Sequence, residues 1–96
     1  MRRAARTDEN QRSIVDHLER FGWRVHVASA VGGGFPDLVC ARDRFTALVE
    51  VKNPSKPKRD QRLTKDQVEF HRDWPGVIVV ALTPEDALRQ LEALRP

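Results

Sequence analysis

The sequence has little cysteine and no long apolar segment. Its single cysteine, Cys40, cannot form an internal disulfide bond. No run approaches the roughly 18 apolar residues that a membrane-spanning helix needs. The first residues, MRRAARTDENQRS, are polar where a signal peptide carries an apolar segment. These absences favour a reducing compartment, and we expect a cytoplasmic protein with no membrane partner.

The size and charge of the chain restrict it further. With 96 residues there is room for one hydrophobic core, so we predict a single domain spanning residues 1–96. Hydrophobic residues make up 40% and charged residues 32%, which is ordinary for a globular protein. The formal net charge of +3 suits a polyanionic partner without requiring one.

The first element is predicted to be a helix that begins near Thr7. Its apolar residues Ile14, Leu18 and Phe21 are spaced by three and four, which places them on one helical face. Gly22 is expected to end the helix. The following stretch, WRVHVASA, alternates apolar and polar residues, as a strand with one wet face does.

Two short apolar runs follow a glycine triplet at 32–34. The runs PDLVCA and TALVEVK are rich in strand-forming residues, and the connection RDRF between them is typical of a tight hairpin. Both runs carry apolar residues on both faces, which predicts central strands covered on two sides.

The second half of the chain predicts helix, strand, helix. A mobile, basic loop is expected over residues 53–63, and Thr64 with Gln67 forms a capping-box pattern that starts a short helix. The apolar run VIVVAL predicts a strand, and Thr83 followed by Pro84 starts the last helix. The predicted fold class is α/β, in the order α-β-β-β-α-β-α. The first three strands form an antiparallel meander, and the fourth is parallel to a neighbour through a right-handed crossover.

The hairpin brings two acidic residues together. If its loop is centred between Asp43 and Arg44, cross-strand partners have numbers that sum to 87, and Asp37 then lies opposite Glu50. Side chains that oppose each other directly have β-carbons about 5 Å apart, so two carboxylates would repel unless a cation or proton lies between them. Lys52, two residues further along, projects from the same face.

This cluster suits a hard divalent cation such as Mg²⁺, which binds one or two carboxylates together with water and phosphate oxygens. Asp37 and Glu50 would supply the carboxylates, and the backbone carbonyl of Val51 could add a further oxygen. Lys52 could orient or deprotonate the attacking nucleophile and offset charge on a phosphate. The alternative is a solvated Glu50 and Lys52 ion pair, worth about 0 to 1 kcal/mol, but it gives no reason for Asp37 to face Glu50.

These motifs resemble a known nuclease family. GFPDLV, then 12 residues between Asp37 and Glu50, then EVK and LTKDQVEF are similar to the PD-(D/E)xK nuclease superfamily, and more closely to its VRR-NUC branch of stand-alone phage and bacterial proteins. The resemblance covers the chain from the first helix to the last strand. It implies a restriction-endonuclease-like core in which Asp37 and Glu50 bind the metal and Lys52 assists hydrolysis.

The resemblance also implies two further site residues. The family uses a glutamine in the helix after the lysine strand, and Gln67 occupies that place, although it has a competing role in the capping box. The family also uses an acid in its first helix, which Glu9 matches best. Asp8 could take that role, and Glu9 could instead complement the helix dipole.

The implied activity is that of an endonuclease dependent on Mg²⁺, or Mn²⁺ as a substitute, in a bacterium or a phage-infected cell. Its expected substrate is DNA, at branched structures such as Holliday junctions, cut by a homodimer whose contact is the last helix or the fourth strand. Basic residues of the loop would contact phosphates without sequence preference, namely Lys56, Lys58, Arg59 and Arg62. The alternatives are a binding module without catalysis, and a nuclease that acts on RNA or single-stranded DNA.

Overall fold

The computed structural model describes the backbone of residues 5–96 and the side chains from residue 9 onward. It contains three α-helices, four strands and one short 3₁₀ helix. In chain order these are α1 (Ala5–Arg20), β1 (Arg24–Val27), β2 (Leu38–Arg42), β3 (Phe45–Val51), the 3₁₀ helix (Lys58–Gln61), α2 (Lys65–Asp73), β4 (Val77–Ala81) and α3 (Pro84–Leu94).

The four strands form one mixed sheet in the order β1-β2-β3-β4. The pairs β1 with β2 and β2 with β3 are antiparallel, whereas β3 and β4 are parallel. The connection from β3 to β4 runs through α2, because parallel neighbours cannot be joined by a tight turn. The α/β class and the mixed sheet predicted from the sequence are confirmed, and β2 and β3 are the central strands.

The hairpin between β2 and β3 turns at Asp43 and Arg44, whose φ angles are 52° and 68°. Two successive residues with positive φ match a two-residue type I′ turn, whose twist fits that of the flanking strands. The pairing extends from this turn to Leu38 opposite Val49, and every pair in it sums to 87. The predicted register is therefore confirmed.

The hydrophobic core lies between one face of the sheet and helices α1 and α3. Alternate residues of the strands point toward this side, as the period of two requires. The buried core side chains include Leu38, Cys40, Ala47, Val49, Val79 and Ala81 from the sheet and Ile14, Leu18, Ala87 and Leu91 from the two helices. Burial raises the pKa of the Cys40 thiol to about 12, so this cysteine is an unreactive core residue.

Helix α2 lies against the opposite face of the sheet and is held there differently. Its N-cap is Thr64, and the predicted capping box with Gln67 is present in both directions. None of its residues is fully buried. Phe70 makes an edge contact with Phe35, with ring centroids 5.3 Å apart, and Gly34 packs against the backbone of Asp66. Polar and aromatic contacts, rather than a buried apolar stripe, therefore hold this helix in place.

Three details differ from the sequence predictions. The loop after β3 contains the 3₁₀ helix, and Gln61 Nε2 braces it by donating to the carbonyl of Lys56 at 2.8 Å. Phe21 is 46% and Val27 49% exposed, although their spacing predicted apolar faces. Val27 belongs to an edge strand, and Phe21 lies just beyond the end of α1, so core atoms cover neither completely. Within residues 5–96, no helix is long and apolar enough to cross a membrane.

Candidate functional site

An open cleft of about 300 Å³ lies where β2 begins and β3 ends. The sheet register explains its position, because the step beyond the pair Leu38 and Val49 brings Asp37 beside Glu50. Half of the charged residues predicted for the site line this cleft. Its lining consists of Gln11, Asp37, Glu50, Val51, Lys52, Asn53, Lys56 and Asp60.

Glu50 is a charged residue that the fold buries almost completely. It lies within β3, pairs with Val80 of β4, and is only 3% exposed. Its Oε2 accepts a hydrogen bond from Gln67 Nε2 at 2.9 Å and lies 3.8 Å from Lys52 Nζ. Its Oε1 is buried and has no hydrogen-bond partner among the described residues. A buried oxygen without a partner is costly, and a bound cation would satisfy it.

The pKa of Glu50 is raised to about 8. Burial is the largest cause, and the neighbouring Asp37 carboxylate adds to it, whereas Lys52 acts in the opposite direction. Asp37 and Glu50 line the same cleft, so the charge of one carboxyl group disfavours charge on the other. At neutral pH, a Glu50 without a cation therefore carries a proton for much of the time.

Asp37 is held in place by backbone and side-chain donors. Its Oδ2 accepts a hydrogen bond from the backbone N–H of Val51 at 2.8 Å, and its Oδ1 lies 3.3 Å from Ser29 Oγ. Its backbone carbonyl accepts a hydrogen bond from the backbone N–H of Ala28 at 2.7 Å. This bond closes the base of the glycine loop, the segment between β1 and β2 that contains the glycine triplet at 32–34. Asp37 thus spans β2 and β3 at the edge of the cleft, and its position is fixed before any ligand binds.

Lys52 and Gln67 form a bridge from α2 to the carboxylates. Lys52 Nζ donates to Gln67 Oε1 at 2.9 Å, while the amide nitrogen of Gln67 donates to Glu50. Gln67 Oε1 also accepts from the backbone N–H of Thr64 at 2.9 Å. The sequence left the cap and the site as alternatives for Gln67, and in the structure its side chain caps α2 and also contacts Lys52 and Glu50.

The first helix contributes a different residue from the one predicted. Glu9 is exposed and does not line the cleft, and the side chain of Asp8 lies outside the described residues. Gln11 lines the cleft and is only 8% exposed. The helical period of the sequence already indicated Gln11. It precedes Ile14 by three residues and lies on the same face of α1, whereas Glu9 lies about 140° around the helix from Ile14.

Asn10, next to Gln11, fixes the helix to the ends of the parallel strands. Its Nδ2 lies 3.1 Å from the carbonyl of Lys52 and 3.3 Å from that of Leu82, so it can donate to both. The carbonyl of Lys52 comes directly after β3, and that of Leu82 comes directly after β4. Asn10 therefore connects α1 to the ends of β3 and β4, and nothing in its sequence context predicted these contacts.

The basic loop is only partly in the cleft. Lys56 lines the cleft, whereas Lys58, Arg59 and Arg62 are exposed to solvent outside it. His71, one helical turn beyond Gln67, is half-buried, and its Nε2 has no partner among the described residues. Burial, and then the charge of Lys52, lower the pKa of His71 below its ordinary value.

A divalent cation fits this arrangement of donors. Asp37 and Glu50 supply carboxylate oxygens, one of them without a partner, and Val51 lines the same cleft. No group of three or more His, Cys, Asp or Glu residues gathers anywhere in the described part of the chain. Two carboxylates nevertheless match Mg²⁺, which keeps several waters and needs few protein ligands.

Comparison of the chain with models of known protein families gives no match, and comparison with curated proteins gives none either.

Proposed function

We propose that this protein is a Mg²⁺- or Mn²⁺-dependent nuclease that hydrolyses phosphodiester bonds of DNA. The observation that carries the proposal is the cleft in which the adjacent ends of β2 and β3 bring Asp37, Glu50 and Lys52 together. The sequence resemblance to the VRR-NUC branch of the PD-(D/E)xK nucleases, with its restriction-endonuclease-like core, leads to the same three residues.

In this proposal Asp37 and Glu50 hold the cation, and the backbone carbonyl of Val51 adds a further oxygen. A cation bound there would activate the attacking water and stabilise negative charge on the phosphate. The backbone N–H of Val51 keeps the Asp37 carboxylate in place through its 2.8 Å hydrogen bond. Because the cation must displace a proton from Glu50, metal binding and pH are coupled.

Lys52 acts on the reacting groups in this proposal. Its ammonium is nearly buried, with 11% of the side chain exposed, and it lies 3.8 Å from Glu50 Oε2. A fixed positive charge in a partly dry site stabilises the charge that develops on the phosphate during hydrolysis. Gln67 Oε1 holds the ammonium at 2.9 Å, so Gln67 is a positioning residue for Lys52.

The proposed substrate is branched DNA, such as a Holliday junction, cut by a homodimer that presents one site to each strand. Lys56 at the cleft, with Lys58, Arg59 and Arg62 beyond it, supplies positive charge for phosphate contacts. These contacts position a backbone and carry no sequence information, which suits a substrate recognised by its shape. The Holliday junction and the homodimer rest on the family resemblance alone.

A second candidate is a nucleic-acid-binding module without catalysis. It is favoured by the bridge from Lys52 through Gln67 to Glu50, in which the three side chains contact one another without a cation. In that case only a proton shared with Asp37 can satisfy the buried Glu50 Oε1, whereas in the nuclease proposal the cation does so.

The test is a Mg²⁺ titration of cleavage with four substrates: a four-way junction, linear duplex DNA, single-stranded DNA and RNA. The wild type is compared with Lys52→Ala and Asp37→Asn, and with Lys65→Ala as a control at an exposed lysine of α2. We expect the wild type and the control to cut the junction, and the two site variants to bind it but leave it intact. Binding by the wild type with every substrate left intact would establish the binding module instead. Preferential cleavage of RNA or single-stranded DNA would reassign the substrate.

A further inference from the structure

Gln11 is a second buried polar side chain at the cleft. Only Gln11 and Glu50 are buried among the polar and charged residues that the structure describes. Gln11 contacts Ser29, whose Oγ lies 3.1 Å from Gln11 Oε1. The other atom of its amide has no hydrogen-bond partner in the described part of the chain, and Gln11 lines the cleft. Its side chain therefore has one end tied to Ser29 and one end available to a ligand.

The hydroxyl of Ser29 lies between two acceptors. One is Gln11 Oε1 at 3.1 Å and the other is Asp37 Oδ1 at 3.3 Å. A hydroxyl carries one proton, so it donates to only one of them at a time. A carboxylate that holds a cation can only accept a hydrogen bond, and its charge makes it a stronger acceptor than an amide oxygen. The proton of Ser29 therefore belongs to Asp37, which leaves Gln11 Oε1 facing another oxygen without a proton between them.

Turning the amide of Gln11 by 180° removes this conflict. Its oxygen and nitrogen have nearly the same size, so the exchange keeps the shape of the side chain, and the hydrogen-bond network decides its direction. In the turned state Gln11 Nε2 donates to Ser29 Oγ, and Ser29 donates to Asp37 Oδ1. Each of these two contacts then has one donated proton and one acceptor, and the amide oxygen of Gln11 is the atom left available to the cleft.

We propose that Gln11 supplies its side-chain oxygen to the divalent cation that Asp37 and Glu50 hold, and that Ser29 orients the amide for this purpose. The inference rests on the proposed function, since it needs a cation at the cleft. Amide oxygens are ligands for hard cations. A neutral oxygen also adds a ligand without adding a third negative charge beside two carboxylates that already repel each other.

The test measures metal binding directly, by calorimetric titration of the protein with Mn²⁺ in the absence of nucleic acid. Gln11→Leu removes the oxygen at nearly constant volume, and we expect Mn²⁺ affinity to fall about tenfold or more. Gln11→Glu keeps an oxygen and adds charge, so it should bind Mn²⁺ at least as tightly as the wild type. Ser29→Ala should lose part of the affinity because the amide is free to turn, and Ser29→Thr, which keeps the hydroxyl, should restore it.

The control is Gln90→Leu, the same replacement at a half-buried glutamine of α3 whose amide donates to the carbonyl of Val80 instead of facing the cleft. It should leave the Mn²⁺ affinity unchanged. Wild-type affinity in Gln11→Leu, or weaker binding in Gln11→Glu than in Gln11→Leu, would overturn the inference and leave the proposed nuclease standing. A wild type that binds no Mn²⁺ and cuts no substrate would overturn the proposed nuclease itself, and this inference with it.

Discussion

Gln67 Nε2 donates a hydrogen bond to Glu50 Oε2 at 2.9 Å, and this bond joins the capping residue of a helix to a buried carboxylate of the sheet. The same amide accepts from Lys52 through its oxygen. The Gln67 amide therefore contacts both the ammonium of Lys52 and the carboxyl group of Glu50, and it orients both. The first turn of α2 and the arrangement of the site depend on one side chain.

The first prediction separates the two roles of Gln67. Gln67→Ala should reduce DNA cleavage at least tenfold, because Lys52 loses its acceptor, and should also destabilise α2. Thr64→Ala removes only the hydroxyl that accepts from Gln67 N, and should cost about 1 kcal/mol of unfolding free energy with a small effect on cleavage. Cleavage rates and urea unfolding midpoints measure the two effects.

The control for this pair is Thr83→Ala. Thr83 caps α3 in the same way, accepting from Asp86 N at 3.0 Å, and it lies outside the cleft. It should lower stability by a similar amount and leave the cleavage rate constant. An equal loss of cleavage in Gln67→Ala and Thr83→Ala would mean that Gln67 acts through stability alone.

The second prediction concerns pH. The pKa of Glu50 is raised to about 8 in the folded protein, mainly by burial, from an ordinary value of 4.5. Between these values the folded protein binds more protons than the unfolded chain. The contribution of Glu50 to the unfolding free energy is therefore fully present below pH 4.5 and falls as the pH rises toward 8.

The measurement compares wild type with Glu50→Gln by urea unfolding at pH 5 and pH 8.5, without divalent metal. The difference between the two proteins isolates Glu50 from other titrating groups, such as His71. The wild type should lose stability relative to Glu50→Gln at the higher pH, and Mn²⁺ should restore it there. Mn²⁺ affinity should also rise from pH 6 to pH 8.5 as the competing proton leaves. A pH-independent stability difference would show that Glu50 titrates normally.

The third prediction concerns the glycine loop between β1 and β2. Gly34 has φ of +85°, and a Cβ there would lie 2.7 Å from the carbonyl carbon of Asp66. Gly32 and Gly33 also have positive φ, but a Cβ at either would meet nothing within 4 Å. Alanine at Gly32 or Gly33 should therefore cost about 1 kcal/mol through backbone strain. Alanine at Gly34 should cost more, because it also pushes α2 away from the sheet.

Thermal unfolding of the three alanine variants tests this order. Gly34→Ala should also reduce cleavage at temperatures where the protein stays folded, since displacing α2 moves Gln67 away from Lys52. Equal melting temperatures for all three variants would show that the contact between Gly34 and Asp66 has no energetic weight.

The fourth prediction compares two basic residues of the loop. Lys56 lines the cleft and Arg59 is exposed outside it. If both contact phosphates, alanine at either should reduce the slope of log affinity against log salt concentration by about 1. Only Lys56→Ala should also lower the cleavage rate at saturating DNA. Binding isotherms at several salt concentrations, measured in Ca²⁺ to prevent cleavage, give the slopes. Unchanged slopes in both variants would exclude phosphate contact by this loop.

The parts of the site that were predictable from sequence are those fixed by local geometry. The two-residue turn at Asp43 and Arg44 sets the parity of the hairpin, and that parity alone places Asp37 beside Glu50. The capping box of Thr64 and Gln67 is local as well. In each case a few neighbouring residues determine the local geometry, so tertiary packing changes it little.

The unpredicted parts depend on how elements lie against each other. The helical period puts Gln11 on the face of α1 that carries Ile14, but only the docked helix shows that this face reaches the cleft. Ser29 reaches Gln11 from a loop 18 residues further along the chain. The sequence also did not predict that Gln67 both caps α2 and contacts Lys52. It offers the cap and the site as alternatives and gives no distance to Lys52.

No residue of α2 is fully buried. The part of the site on α2 is therefore less stably held than the part on the sheet. Asp37 and Glu50 belong to the sheet, together with the neighbouring core, whereas Gln67 belongs to a helix that can detach at lower free-energy cost. Detachment of α2 would leave the two carboxylates in place and release Lys52 from its acceptor. Lys52 can therefore lose its alignment while the rest of the fold stays intact. Amide hydrogen exchange in α2 would report how often this happens.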